Sequence, residues 1–174
     1  MTLRQAQGEP TIPSRAKPQS LDDYLEVMTR AVFQAGVRWS MIAARWDDYR
    51  RAFCDFRTDQ VASFDDLDVQ RALQEQILRS PKKVRATVAN AQTLLILDKE
   101  YNGFKNYLRW FSSYDELCAD FRKRFMFMGP MNVWYFLFRV GEEVPQFEEW
   151  VETIPGDHPR MREMVEKARH EGTL

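Results

Sequence analysis

The chain has 174 residues, 44% hydrophobic and 29% charged, with a formal net charge of −1, enough apolar mass for one domain with a sizeable core. Mean hydropathy is −0.53, and no apolar run approaches ~18 residues, which excludes a membrane-spanning helix. Residues 1–20 lack the apolar stretch of a secretory signal. The two cysteines, Cys54 and Cys118, are too few for a disulfide framework and too isolated for a Cys/His zinc cluster. The chain is therefore expected to be soluble and cytoplasmic. A balanced net charge argues only weakly against nucleic acid, because one basic face suffices to hold a phosphate backbone.

Residues 1–19 carry Pro10, Pro13, Pro18 and Gly8 without apolar periodicity and read as a disordered arm. Residues 20–174 then form a single helical domain. Ser20 is the expected N-cap of the first helix, with Asp22 and Asp23 in the first turn. Leu21, Tyr24, Leu25, Met28, Ala31 and Val32 supply its stripe, and Gly36 its stop. A second helix is expected over Ser40–Cys54, with Ile42, Trp46, Tyr49 and Phe53 facing inward. Thr58 and Asp65 or Asp66 read as caps of short helices. Ser80-Pro81 opens a longer helix that buries Val84, Val88, Ala91 and Leu94. Helices over Phe104–Phe111 and Tyr114–Phe125 follow, then a very apolar helix after Gly129-Pro130. The charged stretch His158–Glu171 reads as a surface helix. No alternation of strand type and no Asn-Gly hairpin signal occurs, so the fold class is all-α, with about eight helices.

No dinucleotide fingerprint, phosphate-binding Walker loop, HExxH, GxSxG or CxxC is present. The two histidines, His158 and His170, lie in the polar C-terminal segment, which leaves carboxylates, aromatics and backbone dipoles to do any chemistry. In Phe33–Ser40, Gln34, Gly36 and Trp39 fall at a helix end and the bend after it. The glycine permits close approach and the indole offers a flat stacking face; burial in the core is the alternative reading. In Arg122–Asn132 a basic helix end, with Lys123 and Arg124, runs through Gly129-Pro130 into the apolar helix. A helix N-terminus offers unpaired N–H donors and a positive dipole end to an anion; a purely structural turn is the alternative.

These segments form an ordered set. Gln34-Ala35-Gly36-Val37-Arg38-Trp39 is followed by Tyr49-Arg50-Arg51-Ala52-Phe53, then Ile77-Leu78-Arg79, Lys83-Val84 and Asn90-Ala91. The succession resembles the DNA-3-methyladenine glycosylase I family, the Tag-type branch of the helix-hairpin-helix DNA glycosylases, over roughly 120 residues to Gly141. The resemblance implies a helix-hairpin-helix glycosylase-like bundle. It implies a monofunctional DNA N-glycosylase that flips alkylated purines of the 3-methyladenine class out of double-stranded DNA and hydrolyses the N-glycosidic bond, in base-excision repair. Trp39 matches the family's pocket tryptophan, with Gln34, Arg38 and Ala31 around the base. Lys123, Arg124 and Gly129 match the phosphate-gripping hairpin, and Lys82 and Lys83 are further candidates for the DNA backbone. Glu148 or Glu149 is the candidate carboxylate for stabilising the sugar cation or orienting water; a solvated helix start is the alternative.

The chain also departs from the family pattern. Ala31 stands where the family has a base-reading Glu, Phe127 takes the place of one hairpin glycine, and the zinc ligands are missing, so neither a metal nor any other cofactor is expected. Met131 stands where lyase members carry a Lys, which excludes a Schiff-base step. The protein is expected to act as a monomer without a membrane. The alternatives are a degenerate homologue that binds DNA or a nucleobase without cleavage, and a helical interaction module whose aromatics are only core.

Overall fold

The computed structural model describes residues 17–75 and 79–156. The arm over residues 1–16, Ile77, Leu78, and the expected helix His158–Glu171 lie outside the described residues. Among the described residues the chain forms ten α-helices and no strand, and no helix is long and apolar enough to cross a membrane.

Helix α1 (Leu21–Gln34) buries Leu25, Met28 and Val32 completely. Ser20 takes the extended N-cap conformation, yet its side chain makes no capping bond. Asp23 caps instead, its Oδ2 accepting from the Gln19 N–H at 2.7 Å. The expected helix Ser40–Cys54 is two helices, α2 (Trp39–Ala44) and α3 (Trp46–Ala52), with Arg45 between them at φ −115°, ψ 16°. The break re-aims the chain so that Trp46 stacks on both Tyr49 and Phe56, with centroids 4.9 and 5.3 Å apart. One continuous helix would not bring these rings to one face of α1.

After α3 the chain makes an unusual turn. Cys54, Asp55 and Phe56 have φ of 51°, 54° and 56°. Left-handed backbone costs side-chain-bearing residues roughly 1–2 kcal/mol each. Phe53 and Phe56, both fully buried, offset that cost, since burying one large apolar side chain is worth about 1.5–3 kcal/mol.

Helix α4 (Thr58–Ala62) is not capped by Thr58, which is its first helical residue. Its N–H and hydroxyl both donate to Asp22 Oδ1 of α1, at 2.8 and 2.9 Å. Helix α5 (Asp66–Gln74) opens with a reciprocal capping box between Asp65 and Asp68. Helix α6 (Pro81–Glu100), capped by Ser80, packs against α1, α4, α5 and α7 and is the central strut. Helix α7 (Phe104–Leu108) is shorter than expected. It ends before Trp110, which is 70% exposed.

Helix α8 (Tyr114–Arg124) starts at Ser113, whose Oγ accepts from Glu116 N–H. Helix α9 (Pro130–Arg139) is buried from Val133 to its end. Helix α10 (Phe147–Val151) packs Phe147 and Trp150 onto Trp134 of α9.

Burial raises the ionisation of the Tyr24, Tyr49, Tyr107, Tyr114 and Tyr135 phenols above its ordinary value; at Tyr107 the hydrogen bond to Asp120 adds to it. A raised phenol favours folding fully below the unfolded pKa of about 10, and that contribution is lost as pH climbs through the folded value. Melting temperature is expected to decline above about pH 10, and the decline to be shallower in Tyr107→Phe. A melting series across that range, read beside phenolate absorbance, checks it.

Candidate functional site

Two features meet on α9. Its N-terminal turn faces outward, and its middle carries Tyr135 against the bend that follows α1.

The bend is short. Gly36 has φ +77°, a region open to glycine at little cost, and a Cβ there would meet nothing within 4 Å. The constraint is therefore on the backbone, not on space. Gln34 O accepts from Val37 N–H at 3.2 Å, and Trp39 becomes the first residue of α2. Its ring is half-buried and meets Tyr135 edge-on, centroids 5.2 Å apart at 79°. Lys83 Nζ donates to Ala35 O at 3.2 Å and lies over the Phe33 ring, so α6 holds the bend from beneath. Burial lowers the Lys83 pKa from its ordinary value. A mostly apolar cavity of about 550 Å³ opens beside this bend, between Val37, Ile42, Tyr49 and Lys83.

Behind Trp39 lies a polar cluster. Gln34 is 5% and Tyr135 3% exposed, and Gln34 Oε1 and the Tyr135 hydroxyl have no hydrogen-bond partner among the described residues. Arg30 and Arg139 flank that hydroxyl electrostatically, and Gln34 stands beside it. The guanidinium of Arg30 stacks over Trp46 at 4.3 Å. Glu26 Oε1 accepts from Trp46 Nε1 at 2.7 Å and from Arg50 at 2.6 Å. A cavity of about 250 Å³ opens onto this cluster, lined by Pro18, Asp23, Glu26, Val27, Arg30 and Arg139.

Between α8 and α9, Asn90 of α6 clamps the turn. Its Oδ1 accepts from Met126 N–H at 2.7 Å and its Nδ2 donates to Met126 O at 3.1 Å. Asn132 Nδ2 closes the other side on Phe127 O at 2.7 Å. Phe127, the residue in the glycine's place, holds φ +57°. Gly129 has an ordinary φ of −70° and open space around it. It leaves the N-terminus of α9 uncovered, with the Met131 and Asn132 N–H groups in the first turn.

The other residues singled out from the sequence fall as follows. Ala31 is buried on α1, and Arg38 is exposed at the N-cap of α2. Lys82 and Lys123 are exposed. Arg124 is bound to Asp120 at 2.7 Å and lies 3.9 Å from Glu100. Glu148 and Glu149 are exposed in the first turn of α10, whose contacts run through Phe147 and Trp150. Met131 packs against the core. Arg30, Tyr135 and Arg139 were not anticipated. Their signal is spacing: Arg30–Gln34 and Tyr135–Arg139 are i, i+4 pairs, the second on an otherwise apolar helix.

Among the described residues no group of three His, Cys, Asp or Glu converges as metal ligands, so these residues do not fit a zinc centre of the family's kind. Cys54 ends α3's turn and Cys118 sits on α8.

A methyladenine glycosylase family profile matches residues 16–124. A DNA-3-methyladenine glycosylase of Haemophilus influenzae is 27% identical over 88 residues, 50% of this chain and 48% of that protein. DNA-3-methyladenine glycosylase 1 of Escherichia coli is 29% identical over 76 residues, 43% of this chain and 41% of that protein. The matches thus span less than half the length of these relatives. The solved 3-methyladenine DNA glycosylase I of Staphylococcus aureus superposes with a TM-score of 0.63 at 22% identity, covering 74% of this chain and 80% of that one. That likeness is one of fold.

Two stability outcomes follow. Asn90→Ala is expected to cost about 2 kcal/mol by stranding the Met126 backbone groups. Tyr135→Phe is expected to be neutral or to stabilise by up to about 1 kcal/mol, because it removes a buried hydroxyl that lacks a partner. Chemical denaturation of both variants measures each.

Proposed function

The chain belongs to the methyladenine glycosylase family, and from that membership and the arrangement around Trp39 we propose that it is a monofunctional DNA N-glycosylase releasing alkylated purines from double-stranded DNA. The observation that carries the reading is the double duty of α9. Its uncovered N-terminus and its Tyr135, edge-on to Trp39, sit six residues apart on one rigid helix, about 9 Å along the axis. A backbone phosphate held at one point thereby fixes where the everted nucleotide's base can go.

The steps follow from the residues. The Met131 and Asn132 N–H groups and the dipole of α9 bind a phosphate, Lys123 adds charge, and Pro130 contributes no donor. Eversion costs a few kcal/mol of unstacking, less at a damaged base. The base then stacks on the open part of the Trp39 ring, with its polar edge toward Gln34 and Tyr135. Aromatic stacking contributes about 1–3 kcal/mol per base. The C1′–N bond breaks with its electron pair passing to the base. A water oxygen bonds to C1′, and the water's proton completes the departing base or passes to solvent. A cationic alkylated base already withdraws electrons, so the step needs little acid. Glu148 or Glu149 is the proposed carboxylate for the oxocarbenium-like sugar. With Met131 after the turn glycine, no amine is placed to form a Schiff base.

A second reading, binding without cleavage, is favoured by one observation. Ala31 brings no carboxylate to the cluster, and the exposed Glu148 and Glu149 stand on α10, which packs on the Trp134 face of α9.

Both readings answer to one assay. Alkylated duplex DNA is incubated with the protein, and abasic sites and free base are measured alongside affinity. Excision is expected, with Trp39→Ala reducing it roughly tenfold to a hundredfold and the DNA affinity of both proteins falling with salt. Tight, salt-dependent binding with no base released selects the second reading, and no binding at all defeats both.

A further inference from the structure

The cluster behind Trp39 is rich in donors, and that composition limits what it can read. Arg30 and Arg139 both line the 250 Å³ cavity between α1 and α9. Each guanidinium carries five N–H donors and no acceptor. Between them stands the Tyr135 hydroxyl, 97% buried by residue and without a hydrogen-bond partner. The carboxylates on the cavity wall are already engaged: Glu26 accepts from Trp46 and Arg50, and Asp23 accepts from the Gln19 backbone. The volume corresponds to about eight waters, a space of single-base size. Pro18 and Val27 give it apolar walls.

We propose that this cluster reads the acceptor edge of an oxo-purine, so that the preferred lesion is a guanine-type or hypoxanthine-type base and not an adenine-type one. The inference rests on the glycosylase reading for its setting, and on the donor set for its content. Purines differ along this edge. A 6-oxo purine offers two acceptors, O6 and N7. A 6-amino purine offers N7 but presents N–H donors at position 6. Against guanidinium and phenol hydrogens the amino group meets donor with donor, and buried groups on both sides go unpaired. The oxo group instead accepts from them. The same donors draw electron density toward O6 as the C1′–N bond breaks and its electron pair enters the base, while water supplies oxygen to C1′ and a proton to the base. Gln34 Oε1, also buried without a partner, is left to accept from a ring N–H of the same base.

The test uses two matched pairs: 3-methylguanine against 3-methyladenine, and hypoxanthine against adenine. Each is offered as free base, followed by tryptophan fluorescence, and as a single lesion in duplex DNA, followed by base release. The oxo member of each pair is expected to bind on the order of tenfold tighter or more. Tyr135→Phe, which retains the fold by its melting curve, is expected to lose most of that preference while still binding the amino member. Release of 3-methyladenine ahead of 3-methylguanine overturns the inference and leaves the glycosylase standing. Preferential binding of the oxo bases, abolished in Tyr135→Phe, with no release from any duplex, upholds the inference and removes the enzymatic reading. Equal binding of both members, or binding of neither, overturns it.

Discussion

Helix α9 must be shielded from water on almost every side, and the rest of the molecule is arranged to do it. From Val133 to Val140 every residue is buried. Helix α1 covers one flank, where Tyr24 meets Phe136. Helix α8 covers another, where Phe121 meets Phe136 at 5.3 Å, and α10 covers a third through the stacked Trp134 and Trp150. A helix apolar all round cannot lie at the surface. Its burial therefore fixes where its two polar features end up. The N-terminus, where the first N–H groups lack intrahelical partners, points outward. Tyr135 and Arg139 are carried inward with the helix.

Burying an arginine and a phenol with the apolar residues costs free energy unless they find partners. The fold answers this by gathering Arg30, Glu26, Trp46 and Arg50 into a connected layer over the same region. Burial depresses the Arg30 ionisation, yet a guanidinium stays charged. Unpartnered polar atoms at Gln34 and Tyr135 are the residue of that arrangement. A molecule under selection for stability alone gains by an apolar replacement at such a point. Their retention is what ties the polar layer to recognition.

Backbone strain is distributed along the same lines. The left-handed residues Cys54, Asp55 and Phe56 are secured by aromatic packing, and Phe127 is secured by hydrogen bonds from Asn90 and Asn132 to the turn on either side. In the first case the strain places a core ring. In the second it places an exposed turn, with Phe127 itself 45% exposed. Asn90 is buried within α6, so the turn is anchored to the central strut rather than to its own flanking helices.

The amino-acid order alone determined the helical class, the stops and starts at Gly36, Ser80-Pro81, Ser113 and Gly129-Pro130, the importance of Trp39, and the family. All of these are local: periodicity, capping chemistry and motif order act over a few residues. It did not reveal the break at Arg45, the substitution of Asp22 for a Thr58 cap, the early end of α7, or the engagement of Lys83 and Arg124 with Ala35 and Asp120. Each depends on a partner in another element or on which face a ring must reach. The grouping of Arg30, Gln34, Tyr135 and Arg139 belongs to the same kind. Residues more than a hundred positions apart become neighbours only when α1 and α9 pack, and the charge carried into that contact is decided by packing, not by either helix alone.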